Sequence, residues 1–135
     1  MTLTGHGGRA SILVADDEQG FRDLFHFTFE PLGFEVVTVA DGEAAVDEVR
    51  RRAFDVVVLD VHMPRMGGPD AVRHIRELRP DQAILVLSSS SDSTCSAEAE
   101  LTASGEVECL FKPVDLDELL GVVQRALQGR DRSMS

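Results

Sequence analysis

Cysteine is scarce: only Cys95 and Cys109 occur in 135 residues, too few for the disulfide framework of a small secreted domain. The four histidines, His6, His26, His62 and His74, show no metal-ligand spacing with them, so the pair reads as two thiols in a reducing compartment. Long apolar runs are missing too, and none approaches the ~20 residues that a membrane helix requires. The first ten residues, MTLTGHGGRA, lack the apolar block of a signal peptide. The expected location is cytoplasmic, with no membrane partner. Positive charge is in short supply, 13 Lys and Arg facing 24 Asp and Glu for a net charge of -11. Such a surface repels phosphate backbones and anionic headgroups, which argues against direct nucleic-acid binding.

What is present suits one globular domain. Hydrophobic residues make up 43% and charged residues 27%, outside the disordered regime, and a chain of this length buries enough surface to need no staple. Residues 10–129 form the expected domain. The Gly-rich 1–9 and the polar 130–135 read as disordered tails or a linker stub.

Short β-branched runs at 12–15, 34–39, 55–59, 83–87 and 107–111 read as strands. Helical periodicity fills the gaps. Phe21, Leu24, Phe25, Thr28 and Leu32 fall on one expected core face, and Leu116, Leu119, Leu120, Val123 and Leu127 on another. Phe27 and Val122 lie off these stripes and are candidate partner contacts. Gly33 and Gly105 follow helices, Pro80 ends one, and Asp41, Asp92 and Asp115 occupy N-cap positions. The segment 93–104, with Glu98, Glu100 and few large apolar residues, is the least anchored helix. The resulting (βα)5 string, with continuous apolar strands such as VVVL at 56–59, predicts a doubly wound α/β sandwich around a parallel sheet.

In such a sheet, ligands bind beyond the carboxyl ends of the strands. The first run ends in Asp16 and Asp17, the third in Asp60, the fourth in Ser88 and the fifth in Lys112. If the first and third strands are neighbours, three carboxylates share one rim, and hard divalent cations, Mg2+ above all, bind such oxygen clusters. Lys112 is the sole lysine, a compact point charge where every other cation is a planar arginine fork. Each residue alone has a plainer role: Asp16 and Asp17 as helix caps, Asp60 as a turn residue, Ser88 as loop, Lys112 as surface. Their joint placement at the ends of four strands favours a site.

The motifs LVADDE at 13–18, VVVLDVHMPRMGG at 56–68, ILVLSS at 84–89 and FKP at 111–113 resemble the receiver domain of two-component response regulators. ADGEAA at 40–45 agrees. The resemblance covers about residues 10–129 and implies a flavodoxin-like fold with a five-stranded parallel sheet in the order 2-1-3-4-5. Residue by residue, it implies that Asp60 is the phosphoacceptor, that Asp17 binds Mg2+ directly and that Asp16 holds a metal-bound water. It further makes the backbone carbonyl of His62 the third protein ligand, Ser88 the switch hydroxyl and Lys112 the contact to a phosphoryl oxygen.

The chain departs from the pattern in places. The serine run lengthens the interval to Lys112, so that counting backwards from the lysine selects Ser90, whereas the end of the apolar strand selects Ser88. Cys109 stands where a large switch residue is usual, and Gly67 where many members carry Asp. His62 flanks the approach of water to a phosphoryl group, so it either tunes dephosphorylation or is a plain surface histidine.

The implied partners are a sensor histidine kinase or phosphotransfer protein and a downstream effector protein or removed effector domain. Dimerisation through the segment 93–104, the fifth strand and the last helix is left open. On this reading the chain takes part only in its own phosphoryl transfer and dephosphorylation. Two other readings stand beside it: a Mg2+-dependent aspartyl-phosphate hydrolase or phosphotransferase, and a degenerate receiver acting as a constitutive binding module. Against the hydrolase, His62 occupies the place of a second acid.

Overall fold

The computed structural model describes residues 10–61, 63, 65–89, 107–112 and 115–134. Strands β1 (Ser11–Ala15), β2 (Glu35–Val39), β3 (Val56–Asp60), β4 (Ile84–Ser89) and β5 (Val107–Lys112) form one sheet in the order β2-β1-β3-β4-β5. Every pairing is parallel. Helices α1 (Gln19–Phe29), α2 (Gly42–Arg51), α3 (Gly68–Leu78) and α4 (Leu116–Met134) accompany it.

The continuous apolar strands follow from cover on both faces. Alternation along β1 sends Ile12 and Val14 to one core, with Phe25, Phe29 and Leu119, and Leu13 and Ala15 to the other, with Val49 and Ile75. Along α1, Phe21 meets Phe25 edge-on at 5.7 Å, and Phe25 stacks on Phe29 at 4.7 Å. Phe34 then closes edge-on against Phe29 at 5.4 Å. Such aromatic pairs add about 0.5–1.5 kcal/mol each beyond their burial.

This stack corrects the expected α1 face. Its inward line is the half-buried Phe21 and the buried Phe25 and Phe29, four residues apart, which leaves Leu24 and Leu32 exposed. Leu24 lies one residue, about 100° of helix, away from Phe25. Leu32 lies beyond the helix in a 3-10 turn, Glu30–Leu32, where the α phase no longer holds. Gly33 ends that turn at φ 99°, a left-handed conformation that a Cβ would penalise. Val122 is also reassigned: it is 4% exposed and belongs to the core with Val123, because α4 buries a wider face than the expected stripe. Phe27 is 83% exposed.

The helix ends match their caps. Asp41 accepts from the Ala44 N–H at 2.8 Å at the start of α2, and Asp115 accepts from Asp117 N–H at 2.9 Å before α4. Helix α3 stops at Leu78 with Arg79 extended, as Pro80 demands of the residue before it. Helix α4 continues to Met134, past the boundary expected at 129, since nothing from Gln128 to Met134 except Gly129 opposes helix strongly. The expected N-cap Asp92, Gly105 and the helix at 93–104 lie outside the described residues.

Candidate functional site

Register builds the site. Ala15 pairs with Leu59, so Asp16 and Asp60 follow one another across the carboxyl ends of β1 and β3. Asp60 pairs with Leu87 on the other side, which brings Ser88 next along the rim. Ser88 pairs with Phe111, and Ser89 with Lys112, so the backbone of Lys112 closes the row on β5. Asp16, Asp60, Ser88 and the backbone of Lys112, each at the end of one strand, therefore lie along one edge.

Ligand oxygens of Asp16, Asp17 and Asp60 fall within 4.8 Å of one another. Asp16 and Asp60 are buried and Asp17 is exposed, so the cluster opens toward solvent through Asp17. Three carboxylates at this spacing repel one another, less strongly where solvent screens the exposed Asp17. A divalent cation removes that cost. Oxygens within 4.8 Å of one another are close enough for the three residues to hold one small divalent cation such as Mg2+. An all-oxygen donor set suits a hard cation.

Neither Asp16 nor Asp17 caps α1. The N-cap residue is Glu18, with no side-chain cap bond. Asp16 instead folds its own loop: its carboxylate accepts from the Glu18 N–H at 2.9 Å, and its backbone carbonyl accepts from Arg22 at 2.6 Å. The loop carrying two acids is thus held at both ends of Asp16. Arg22 was not legible as a site neighbour in the sequence, because its bond to the Asp16 carbonyl depends on the path of the loop between them. Ser88 is fully buried. His62 and Ser90 lie outside the described residues.

A fourth carboxylate flanks the rim. Asp41 leaves β2, caps α2, and accepts from Arg65 Nε at 3.1 Å. The Ala44 N–H donated to it lowers its pKa most; burial opposes this, and the Arg65 bond and charge lower it further. Asp41 appears in the sequence as a cap, while its link to Arg65 spans 24 residues and carries no local signal.

A family model described as the response regulator receiver domain matches residues 12–124. The chain belongs to that family, whose members signal by phosphorylation. It is 36% identical over 118 residues to the DNA-binding transcriptional regulator NtrC of Azospirillum brasilense, a match covering 87% of this chain and 24% of that protein. The chain thus spans about a quarter of the length of this relative.

Among solved structures, the Vibrio cholerae chemotaxis protein CheY4 superposes with a TM-score of 0.76 at 32% identity, covering 87% of this chain and 98% of that one. The receiver domain of sensor histidine kinase PA1611 from Pseudomonas aeruginosa gives 0.77 at 26% identity, covering 90% and 99%. That structure holds a magnesium ion coordinated in its active-site cleft. Among the described residues of the present chain, no helix is long and apolar enough to cross a membrane.

Proposed function

We propose that this chain is a phosphoacceptor receiver in which Asp60 accepts a phosphoryl group from a sensor histidine kinase or phosphotransfer protein. The observation that carries the reading is the convergence of Asp16, Asp17 and Asp60 within 4.8 Å on a rim shared with Ser88 and the backbone of Lys112. The Asp60 carboxylate attacks phosphorus as the bond from phosphorus to the donor breaks, a displacement that depends on alignment more than on nucleophile strength.

Asp17 and Asp60 would hold Mg2+ together with the backbone carbonyl of His62, and Asp16 would act on it through a water. When bound, the ion neutralises the charge on the transferring phosphoryl oxygens. Lys112 supplies a second positive contact to those oxygens. Burial of Asp60, 7% exposed, limits the access of water to the acyl phosphate.

Phosphorylation places about -1.5 to -2 charge where a single carboxylate stood, by analogy with other phosphoresidues. The Ser88 hydroxyl donates to the new phosphoryl oxygen and biases the rim between two arrangements. The receiver unit acts in the cytoplasm and signals to an effector protein or domain by a changed surface; the chain itself turns over no other substrate. Dimerisation through 93–104, β5 and α4 is one form this output takes.

Intact-mass analysis after incubation with acetyl phosphate and Mg2+ tests the reading. One phosphoryl adduct in the wild type, lost in Asp60→Asn and with EDTA, supports it. Wild-type protein that gains no adduct contradicts it and leaves a constitutive binding module.

A further inference from the structure

Asp16 is fixed at three points, its amide, its carboxylate and its carbonyl. The N–H donates to the Val39 carbonyl at 3.1 Å, which carries the β1–β2 pairing one residue past Ala15. The carboxylate accepts from the Glu18 N–H at 2.9 Å. The carbonyl accepts a short bond, 2.6 Å, from the charged Arg22 Nη1. The first two bonds place the residue and its side chain, and the third decides how the chain leaves it.

That third bond acts on Asp17. The peptide group is planar, so the Asp16 carbonyl oxygen moves as one rigid unit with the nitrogen and Cα of Asp17. Holding the oxygen sets the rotation of this unit about the Asp16 Cα–C bond, and with it the direction in which Asp17 departs. Asp16 and Asp17 both belong to the cluster whose oxygens lie within 4.8 Å of one another. The guanidinium therefore grips the very peptide bond that joins two of the three acids. Asp17 is the exposed member, the one whose position burial does least to fix.

Arg22 reaches from a firm base. Its own N–H donates to the Glu18 carbonyl at 3.2 Å in the first turn of α1. The neighbouring Phe21 anchors that turn to the core through Phe25. Helical side chains lean toward the N-terminus of their helix, here toward the end of β1, and Arg22 is half-buried there.

We propose that Arg22 is a positioning residue that orients the Asp16–Asp17 peptide unit and thereby raises the divalent-cation affinity of the Asp16, Asp17 and Asp60 cluster. The inference rests on the reading of that cluster as a metal site. Charge alone would act in the opposite direction: a guanidinium beside three acids repels an incoming cation, so its removal would tighten binding. Ligands ordered in advance spare the ion the cost of ordering them. The sign of the affinity change separates the two effects.

The test is Mn2+ titration of the full chain by electron paramagnetic resonance, with Mg2+ competition and a metal-free thermal melt for each variant. Arg22→Met keeps a long side chain that suits a helix and removes every donor. It is expected to weaken Mn2+ and Mg2+ binding about 10-fold, the low end for outer partners of metal ligands. Arg22→Lys keeps a cationic donor on a shorter stem and is expected to recover part of the loss. With acetyl phosphate as donor, the Mg2+ concentration for half-maximal phosphorylation of Arg22→Met is expected to rise by the same factor, while the rate at saturating Mg2+ stays within about 2-fold of wild type.

Unchanged or tighter metal binding in Arg22→Met overturns the proposal, as does a loss that tracks the melting midpoint across the two variants. Where Arg22→Met does not fold, Arg22→Lys decides: reduced affinity supports the proposal and wild-type affinity overturns it. A wild type that binds no Mn2+ overturns both the proposal and the metal site. Metal binding that weakens as expected, with no acetyl phosphate adduct in the wild type, overturns the phosphoacceptor reading alone.

Discussion

Asp16 and Asp60 stand side by side because the register that pairs Ala15 with Leu59 delivers an acid from each strand to the same rim. Their proximity is a consequence of the 2-1-3 strand order, not of sequence separation. A sheet edge with two buried carboxylates and a third at its mouth carries an electrostatic cost that a bound cation offsets.

That cost is measurable. Asp17→Asn is expected to raise the melting midpoint of metal-free protein by roughly 2–4 °C, since relief at an exposed carboxylate is worth about 0.5–1 kcal/mol after screening. Addition of Mg2+ is expected to stabilise the wild type by mass action and the variant far less. Differential scanning calorimetry with and without Mg2+ checks both. Equal Mg2+ shifts in the two proteins would remove Asp17 from the site.

Asp41 predicts a pH dependence. Its pKa in the folded chain lies below the ordinary aspartate value, through the Ala44 N–H first and Arg65 after it, against the opposing effect of burial. The folded state therefore binds the proton more weakly than the unfolded state. Its contribution is complete above the ordinary aspartate range near pH 4 and is lost as pH falls through the lower folded value. Urea denaturation across pH 2–6 is expected to show a shallower acid limb in Asp41→Asn. Asp41→Ala also loses the cap, at about 1 kcal/mol at neutral pH.

Two glycines separate close packing from chain entropy. Gly42→Ala meets the Met66 carbonyl oxygen and is expected to destabilise by about 1–3 kcal/mol. A Cβ at Gly20 meets nothing within 4 Å, and Gly20→Ala is expected to stabilise by about 0.4–1 kcal/mol. Chemical denaturation of the pair checks the sign difference.

Ser88 and Lys112 should divide the phosphoryl chemistry between them. Lys112→Ala is expected to slow phosphorylation by acetyl phosphate about 10²–10³-fold, the usual effect of removing one electrostatic contact to a transition state. Ser88→Ala is expected to accept the phosphoryl group yet lose the change in backbone amide shifts that beryllium fluoride induces along β4 and β5. Time-resolved mass analysis and heteronuclear NMR read the two effects separately.

The strands and the rim acids were legible in the sequence because they rest on local signals. A buried parallel strand is a short β-branched run, and the acids at its end mark the edge. The α1 face differs from the expected stripe because the ring stack of Phe21, Phe25 and Phe29 turns the helix away from Leu24, and pairing of rings is not encoded in hydrophobic periodicity. Val122 read as a partner contact because the stripe of Leu116, Leu119, Leu120, Val123 and Leu127 is narrower than the face α4 buries. Arg22, Arg65 and the approach of Gly42 to Met66 were invisible: each depends on a tertiary contact or a positive φ that no spacing encodes. Asp41 was half legible, its capping bond being local and its bond to Arg65 not.

Localisation of the phosphoryl group tests the central claim most directly. After treatment with acetyl phosphate and Mg2+, tandem mass spectrometry of rapid digests is expected to place one phosphoryl group on Asp60, removable by neutral hydroxylamine as an acyl phosphate. A hydroxylamine-resistant phosphoryl group on Ser88 or on one of the serines that follow it, or modification that persists in Asp60→Asn, would contradict the account.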